Sequence, residues 1–127
     1  MSNDTVITIT GNVVYEPELK QVGNNLALIN LTIASTPQKY DKDSSSWVNG
    51  ETMFIRATGW RSLAENIALT IRKGMPVIAQ GKLVSKSYEK DGNKVTNFEL
   101  ELVEIGVALS RPIKNVEIKP ETEDTPF

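Results

Sequence analysis

Neither cysteine nor histidine occurs in these 127 residues. The first absence excludes disulfides, zinc-thiolate centres and thiol nucleophiles. The second removes the imidazole that most often serves as general base and transition-metal ligand, and catalytic triads go with it. Serine, threonine, lysine, tyrosine and carboxylates remain, so an enzyme is disfavoured and no cofactor or metal is expected. No apolar run approaches the ~18 residues that a membrane span needs. Met1–Thr5 lacks a basic segment leading into an apolar stretch, so no secretory signal is expected and the expected compartment is the cytoplasm.

A large excess of either charge is lacking too. The formal net charge is −2, from 14 bases and 16 acids. Its distribution is uneven. Residues 115–127 hold one base, Lys119, against Glu117, Glu121, Glu123 and Asp124, which leaves a near-neutral body and an acidic end. A near-neutral body can still carry a basic groove when its acids lie on another face.

What is present is period-two alternation of apolar and polar residues, the mark of strands with one dry face. It predicts strands over 6–13, 26–34, 52–60, 75–88 and 94–105. Gly81 sits near the middle of the fourth, a place for a bend or bulge. Asp91-Gly92 between the fourth and fifth is a hairpin-turn signal. One segment changes period. Leu63, Ala64, Ile67, Ala68 and Ile71 form a helical stripe, which predicts a helix over 62–73. Ser62 with Glu65 reads as its capping box, and Gly74 with Pro76 as its stop. Three strands, one helix and two strands is the order of the OB-fold, so the expected class is all-β, a five-stranded Greek-key barrel. A generic five-stranded barrel or open sheet is the alternative. Residues 36–50 read as a mobile polar loop. Its Asp41-x-Asp43-x-Ser45 opening fails as a calcium loop, having Ser46 at the sixth position and Thr52 at the twelfth. Residues 113–118 have room for one extra C-terminal strand.

Alternation also sorts side chains by face. On the third strand Phe54, Arg56, Thr58 and Trp60 share one face, and Met53, Ile55, Ala57 and Gly59 the other. On the fourth, Lys82, Lys86 and Tyr88 share a face, and the 36–50 segment adds Tyr40, Lys42 and Trp47. Rings interleaved with cations suit unpaired nucleic acid. A ring stacks on any base for ~1–3 kcal/mol, and the cations neutralise phosphates. The alternatives are packing in a core or interface for Phe54 and Trp60, and a cross-strand contact for Tyr88. Trp47 is a contact or a lid. Phe98, between Thr96 and Leu100, is expected in the core, and Tyr15 is uninformative.

Several short matches stand in order from residue 5 to about residue 110. They are Gly11-Asn12 with Glu16-Pro17-Glu18-Leu19, Leu31-Thr32-Ile33-Ala34-Ser35, Trp60-Arg61 with Ala64-Glu65-Asn66, Arg72-Lys73-Gly74, and Gln80-Gly81-Lys82-Leu83. Together they resemble the bacterial single-stranded DNA-binding proteins, OB-fold homotetramers that wrap single-stranded DNA in replication, recombination and repair. The resemblance implies that Tyr40, Phe54, Trp60 and Tyr88 stack on bases. It implies Lys20, Arg56, Lys73 and Lys86 as phosphate contacts, with Lys42 a further one. It also implies that the tip formed by Glu121, Glu123, Asp124, Pro126 and Phe127 docks onto replication and repair proteins. A terminal ring and carboxylate preceded by acids suits an apolar pocket ringed by bases. The expected division is a DNA-binding and oligomerisation domain over 1–110, then a clamp segment and acidic tip over 111–127. Ile55, Val107 and Ile113 are the expected subunit contacts. Two other readings stay open: an OB-fold module whose aromatic face binds protein, and a small carboxylate hydrolase.

Overall fold

Five segments with one apolar face each must bury those faces against one another, and a sheet curled into a barrel does so without a second layer. The computed structural model describes residues 3–112 and shows that barrel closed. Its elements are β1 (Val6–Val13), β2 (Glu18–Val22), β3 (Leu26–Ser35), β4 (Gln38–Asp41), β5 (Ser46–Asn49), β6 (Met53–Trp60), α1 (Arg61–Thr70), β7 (Pro76–Lys90) and β8 (Asn93–Val107). The five expected strands are β1, β3, β6, β7 and β8. Their neighbours run β1–β7–β8–β6–β3, and the pairs Asn12–Ala34 and Val13–Ile33 close the ring between β1 and β3. β6 and β8 lie parallel from Arg56–Glu99 to Thr58–Glu101, while the other barrel pairs are antiparallel. This is the Greek-key connection of the OB-fold, and the open-sheet alternative falls away.

The dry face is the alternating one. Ala27, Ile29, Leu31 and Ile33 of β3 are buried, and they meet Val77 and Ala79 of β7 and Leu100 and Leu102 of β8 in one core. α1 adds Ala64 and Ile67, followed by buried Ile71. Each fully buried Ile or Leu contributes about 1.5–3 kcal/mol relative to exposure. Beyond Val84–Glu99 the β7–β8 ladder leaves the barrel and continues as a hairpin to Lys90–Asn93. Asp91 and Gly92 both have positive φ (53° and 81°), which identifies the two-residue turn that the Asp-Gly pair predicts. The expected irregularity at Gly81 is a bulge: Gln80 pairs with Glu104 and Gly81 with Leu102, leaving Val103 as the extra residue.

Four expectations need correction. The segment over 36–50 is not a loop. It is the tip of one long hairpin whose base is the β3–β6 ladder. That ladder ends at Ser35–Met53, a hydroxyl bond of 2.6 Å joins Thr36 to Thr52, the Gly50 amide donates to the Pro37 carbonyl at 2.7 Å, and β4–β5 follows. Its turn is an Asx turn. The Asp41 carboxylate accepts from the Asp43 amide at 3.2 Å and from the Ser44 hydroxyl at 2.9 Å. Because both faces of this tip are wet, Asp41→Ala is expected to loosen it alone. Amide exchange should rise over residues 38–49, with about 1 kcal/mol of local stability lost and an unchanged melting temperature.

The helix differs at both ends. It starts at Arg61, directly after β6, with Trp60 in extended conformation at the N-cap and no side-chain capping bond. No linker separates strand from helix, so Ser62 already lies inside the first turn and the capping box does not form. α1 ends at Thr70. The Arg72 guanidinium donates to the carbonyls of Ala68 and Ile71, which satisfies acceptors that Gly74 was expected to serve. Gly74, at φ +89°, instead turns the chain so that its amide reaches the Val13 carbonyl at 2.7 Å. Phe98 is not in the core but 65% exposed, because it lies past the last buried pair of the β7–β8 ladder. Finally, β2 pairs along β3 as an edge strand that the sequence reading lacked. The expected strand over 113–118, Ile113 and the acidic tip lie outside the described residues. Arg111, near the end of those residues, donates to the Asn12 side chain at 2.8 Å and to the Gly11 carbonyl at 3.2 Å.

Candidate nucleic-acid interface

Pairing register places the wet face of β6 at the centre of a three-strand surface. Trp60 stands opposite Leu28, Thr58 opposite Asn30, Arg56 opposite Thr32 and Phe54 opposite Ala34. On one side β2 brings Lys20 opposite Leu28 and Glu18 opposite Asn30. On the other, β8 brings Glu99 beside Arg56 and Glu101 beside Thr58. Thr58 Oγ1 donates to Asn30 Oδ1 at 3.2 Å, tying the two middle strands through their side chains. Phe54 is 66% exposed and Trp60 is 41% exposed, so both rings face outward, and packing inside the barrel is ruled out for them.

Three depressions join along this surface. Trp60 and Lys86 share the first, of about 160 Å³, with Leu28, Asn30, Thr58 and the two glutamates. Lys20 and Arg56 share the second, of about 180 Å³, with Tyr15 and the carboxylates of Glu16 and Glu18. Phe54 and Arg56 share the third and widest, of about 940 Å³ and open to solvent, with Tyr15 and Phe98. Arg56 stands where the second and third meet, and among the described residues it is in no ion pair. Phe54 and Trp60 are six residues apart on one extended strand, about 20 Å. An elongated ligand can reach both rings at this spacing. A compact substrate cannot, and among the described residues no cluster of three or more potential metal-ligating side chains is found.

The other expected residues fall elsewhere. Tyr40 and Trp47 face each other across β4–β5, edge to face, with centroids 5.6 Å apart, and both are exposed. Lys42 is in the turn of that hairpin. Tyr88 lies on the β7–β8 hairpin, where its hydroxyl accepts from the Asn97 side chain at 3.3 Å. Lys82 is committed at 3.4 Å to Asp4, and Lys73 sits beyond α1 with its amide on the Glu16 carboxylate at 3.2 Å. Neither lines the three depressions. Tyr15 and Phe98 do line them, and the sequence reading assigned neither to the site. A signal for Tyr15 existed: an aromatic beside Glu16-Pro17, outside any alternating run, has no core to enter.

Among the described residues, no helix is long and apolar enough to cross a membrane. The family model described as the single-strand binding protein family matches residues 4–108. A single-stranded DNA-binding protein of Paenarthrobacter nicotinovorans is 48% identical over 110 residues, covering 86% of this chain and 65% of that protein. One of Mycobacterium leprae is 44% identical over 110 residues, covering 86% of this chain and 66% of that protein. The chain thus spans somewhat under two thirds of the length of these curated relatives. The crystal structure of a small single-stranded DNA-binding protein from Streptomyces coelicolor superposes with a TM-score of 0.78 at 28% identity, covering 87% of this chain and all of that one. With a closed OB barrel and a family match across nearly all described residues, this chain belongs to the single-strand binding protein family.

Proposed function

We propose that the chain binds single-stranded DNA without sequence preference, by stacking and phosphate pairing and not by turnover. The observation that carries this is the line Phe54–Arg56–Trp60 on the exposed face of β6, two outward rings with a cation between them. Every base has a π-face, so such a surface holds a strand without reading it. Lys20 and Lys86 flank the line and supply phosphate contacts, with Lys73, Lys42 and Lys82 further out. Tyr40 with Trp47 and Tyr88 extend the stacking surface along the two hairpins. The chain works as a homotetramer in the cytoplasm. It protects strands opened in replication, recombination and repair, and it recruits proteins of those processes through Glu121, Glu123, Asp124, Pro126 and Phe127. Residues 1–110 bind DNA and assemble, and 111–127 clamp neighbours and carry the tip.

A poly-dT titration at several salt concentrations, followed by tryptophan emission and paired with light-scattering mass, tests this. Trp60 emission should be quenched on binding. With Lys20, Arg56, Lys73 and Lys86 on phosphates, the log–log salt slope should be about −3 per protomer, a weakening of about 50-fold between roughly 50 and 200 mM. Arg56→Ala should make the slope shallower by about 0.7. Unchanged emission with no complex at low salt would transfer the aromatic face to a protein ligand.

A further inference from the structure

The widest depression is not explained by Phe54 and Arg56 alone. Three rings on three separate elements line it: Tyr15 on the β1–β2 connection, Phe54 on β6 and Phe98 on β8. Each is exposed to almost the same degree, 64%, 66% and 65%. Leaving a ring in water forgoes about 1.5–3 kcal/mol of burial, and contiguous apolar patches of this kind mark binding surfaces. The backbone has kept all three out. Phe98 lies beyond the barrel on the β7–β8 ladder opposite Ser85, too small a neighbour to cover it. Tyr15 sits where β1 has left the ladder and β2 has not begun.

What covers these rings follows from their surroundings. Arg56, Thr32 and Asn97 line the same depression beside the rings, together with apolar Met53, Ile55 and Leu83. Through Arg56 and Tyr15 it continues into the depression of Lys20, on the same face of the sheet as Trp60 and Lys86. Rings beside Arg56, whose guanidinium is in no ion pair among the described residues, extend the line Phe54–Arg56–Trp60 on which unpaired bases are proposed to stack.

We propose that Tyr15 and Phe98 are two further base-stacking platforms, which together with Phe54 and Arg56 hold unpaired bases at this end of the groove. The proposal rests on the single-stranded DNA reading above. Neither ring supplies a charge, so each contributes through stacking alone.

The test uses the full chain and poly-dT. Tyr15→Ala and Phe98→Ala should each weaken binding about tenfold, at unchanged salt slope and unchanged light-scattering mass. Tyr15→Phe should bind as the parent does, since the ring is kept. An independent reporter avoids reliance on alanine variants. In a Trp47→Phe, Trp60→Phe background, Phe98→Trp should give emission that poly-dT quenches. Parent-like binding by both alanine variants together with an unquenched reporter overturns the proposal while leaving the DNA-binding reading intact. A drop in mass in either alanine variant also overturns it and assigns the rings to a contact with a second copy. If the parent chain itself forms no complex with poly-dT, both readings fall.

Discussion

Replacing Phe54 and Trp60 together by alanine should weaken poly-dT binding about a thousandfold while fold and assembly persist. Each ring supplies ~1–3 kcal/mol of stacking, so losing both removes several kcal/mol. Neither ring belongs to the buried core, whose members are Ile29, Ile33, Ile67, Val77, Leu100 and their neighbours. Melting temperature and light-scattering mass should therefore stay close to the parent values. The salt slope is the discriminating readout. Arg56 still sits between the two emptied positions, and Lys20 and Lys86 still flank them. Phosphate pairing survives, so log affinity should fall to a lower line of the same steepness. A lower line with a shallower slope would mean that the rings position Arg56 instead of stacking. Undiminished affinity would remove Phe54 and Trp60 from the binding surface.

The five barrel strands could be read from the chain because each buries one face and wets the other, so their side chains carry the period of the backbone. Ile29, Leu31 and Ile33 against Leu28, Asn30 and Thr32 show the rule on β3. β2, β4 and β5 escape it for the same reason. Almost all of their residues are exposed on both sides, so no alternation is written into Glu18–Val22 or into the 38–49 tip. Hydrogen bonding, not burial, makes them strands, and the local cues were turn residues. Gly23 and Asn25 have positive φ between β2 and β3, and Ser45 between β4 and β5. The error at Phe98 has the opposite cause. The alternation there is genuine, and it continues past the point where the barrel ends, so an inward-facing register position has nothing to be buried against. The candidate site was legible where it lies on β6, since one strand's alternation sets all four of its side chains. It was not legible where it depends on two elements meeting, as at Tyr15 and Phe98. The helix ends show a third limit. Capping residues were correctly recognised as types, but the strand runs straight into the helix and leaves Ser62 no cap position to fill.

Gly81→Ala should be the most destabilising single-methyl change in the β7–β8 ladder, lowering stability by about 3 kcal/mol and the melting temperature by roughly 10–20 °C. A Cβ built on Gly81 would overlap the backbone carbonyl of Glu101 and press on the Leu100 side chain, 3.1 Å away. A backbone carbonyl in a ladder cannot swing aside as a flexible side chain does, so relief requires the two strands to part. Gly106→Ala is the control. A Cβ there meets nothing within 4 Å, and its φ is not in the left-handed region. Replacing that glycine restricts the unfolded chain without straining the native one, so its effect should lie between neutral and about 1 kcal/mol stabilising. The difference between the two variants isolates the close approach at the bulge from the general cost or benefit of removing a glycine. The consequence reaches the binding surface. The bulge lies near the end of the stretch of β7 that pairs with β1, shortly before the extension that carries Lys86 to the Trp60 depression and Tyr88 beyond it. Bulges bend and twist the strand that carries them, so this one sets the direction in which the β7–β8 hairpin leaves the barrel. The folded fraction of Gly81→Ala should therefore also bind poly-dT more weakly, with a shallower salt slope as Lys86 is carried away from its place. Lowered stability with parent-like affinity and slope would show that the bulge serves packing alone.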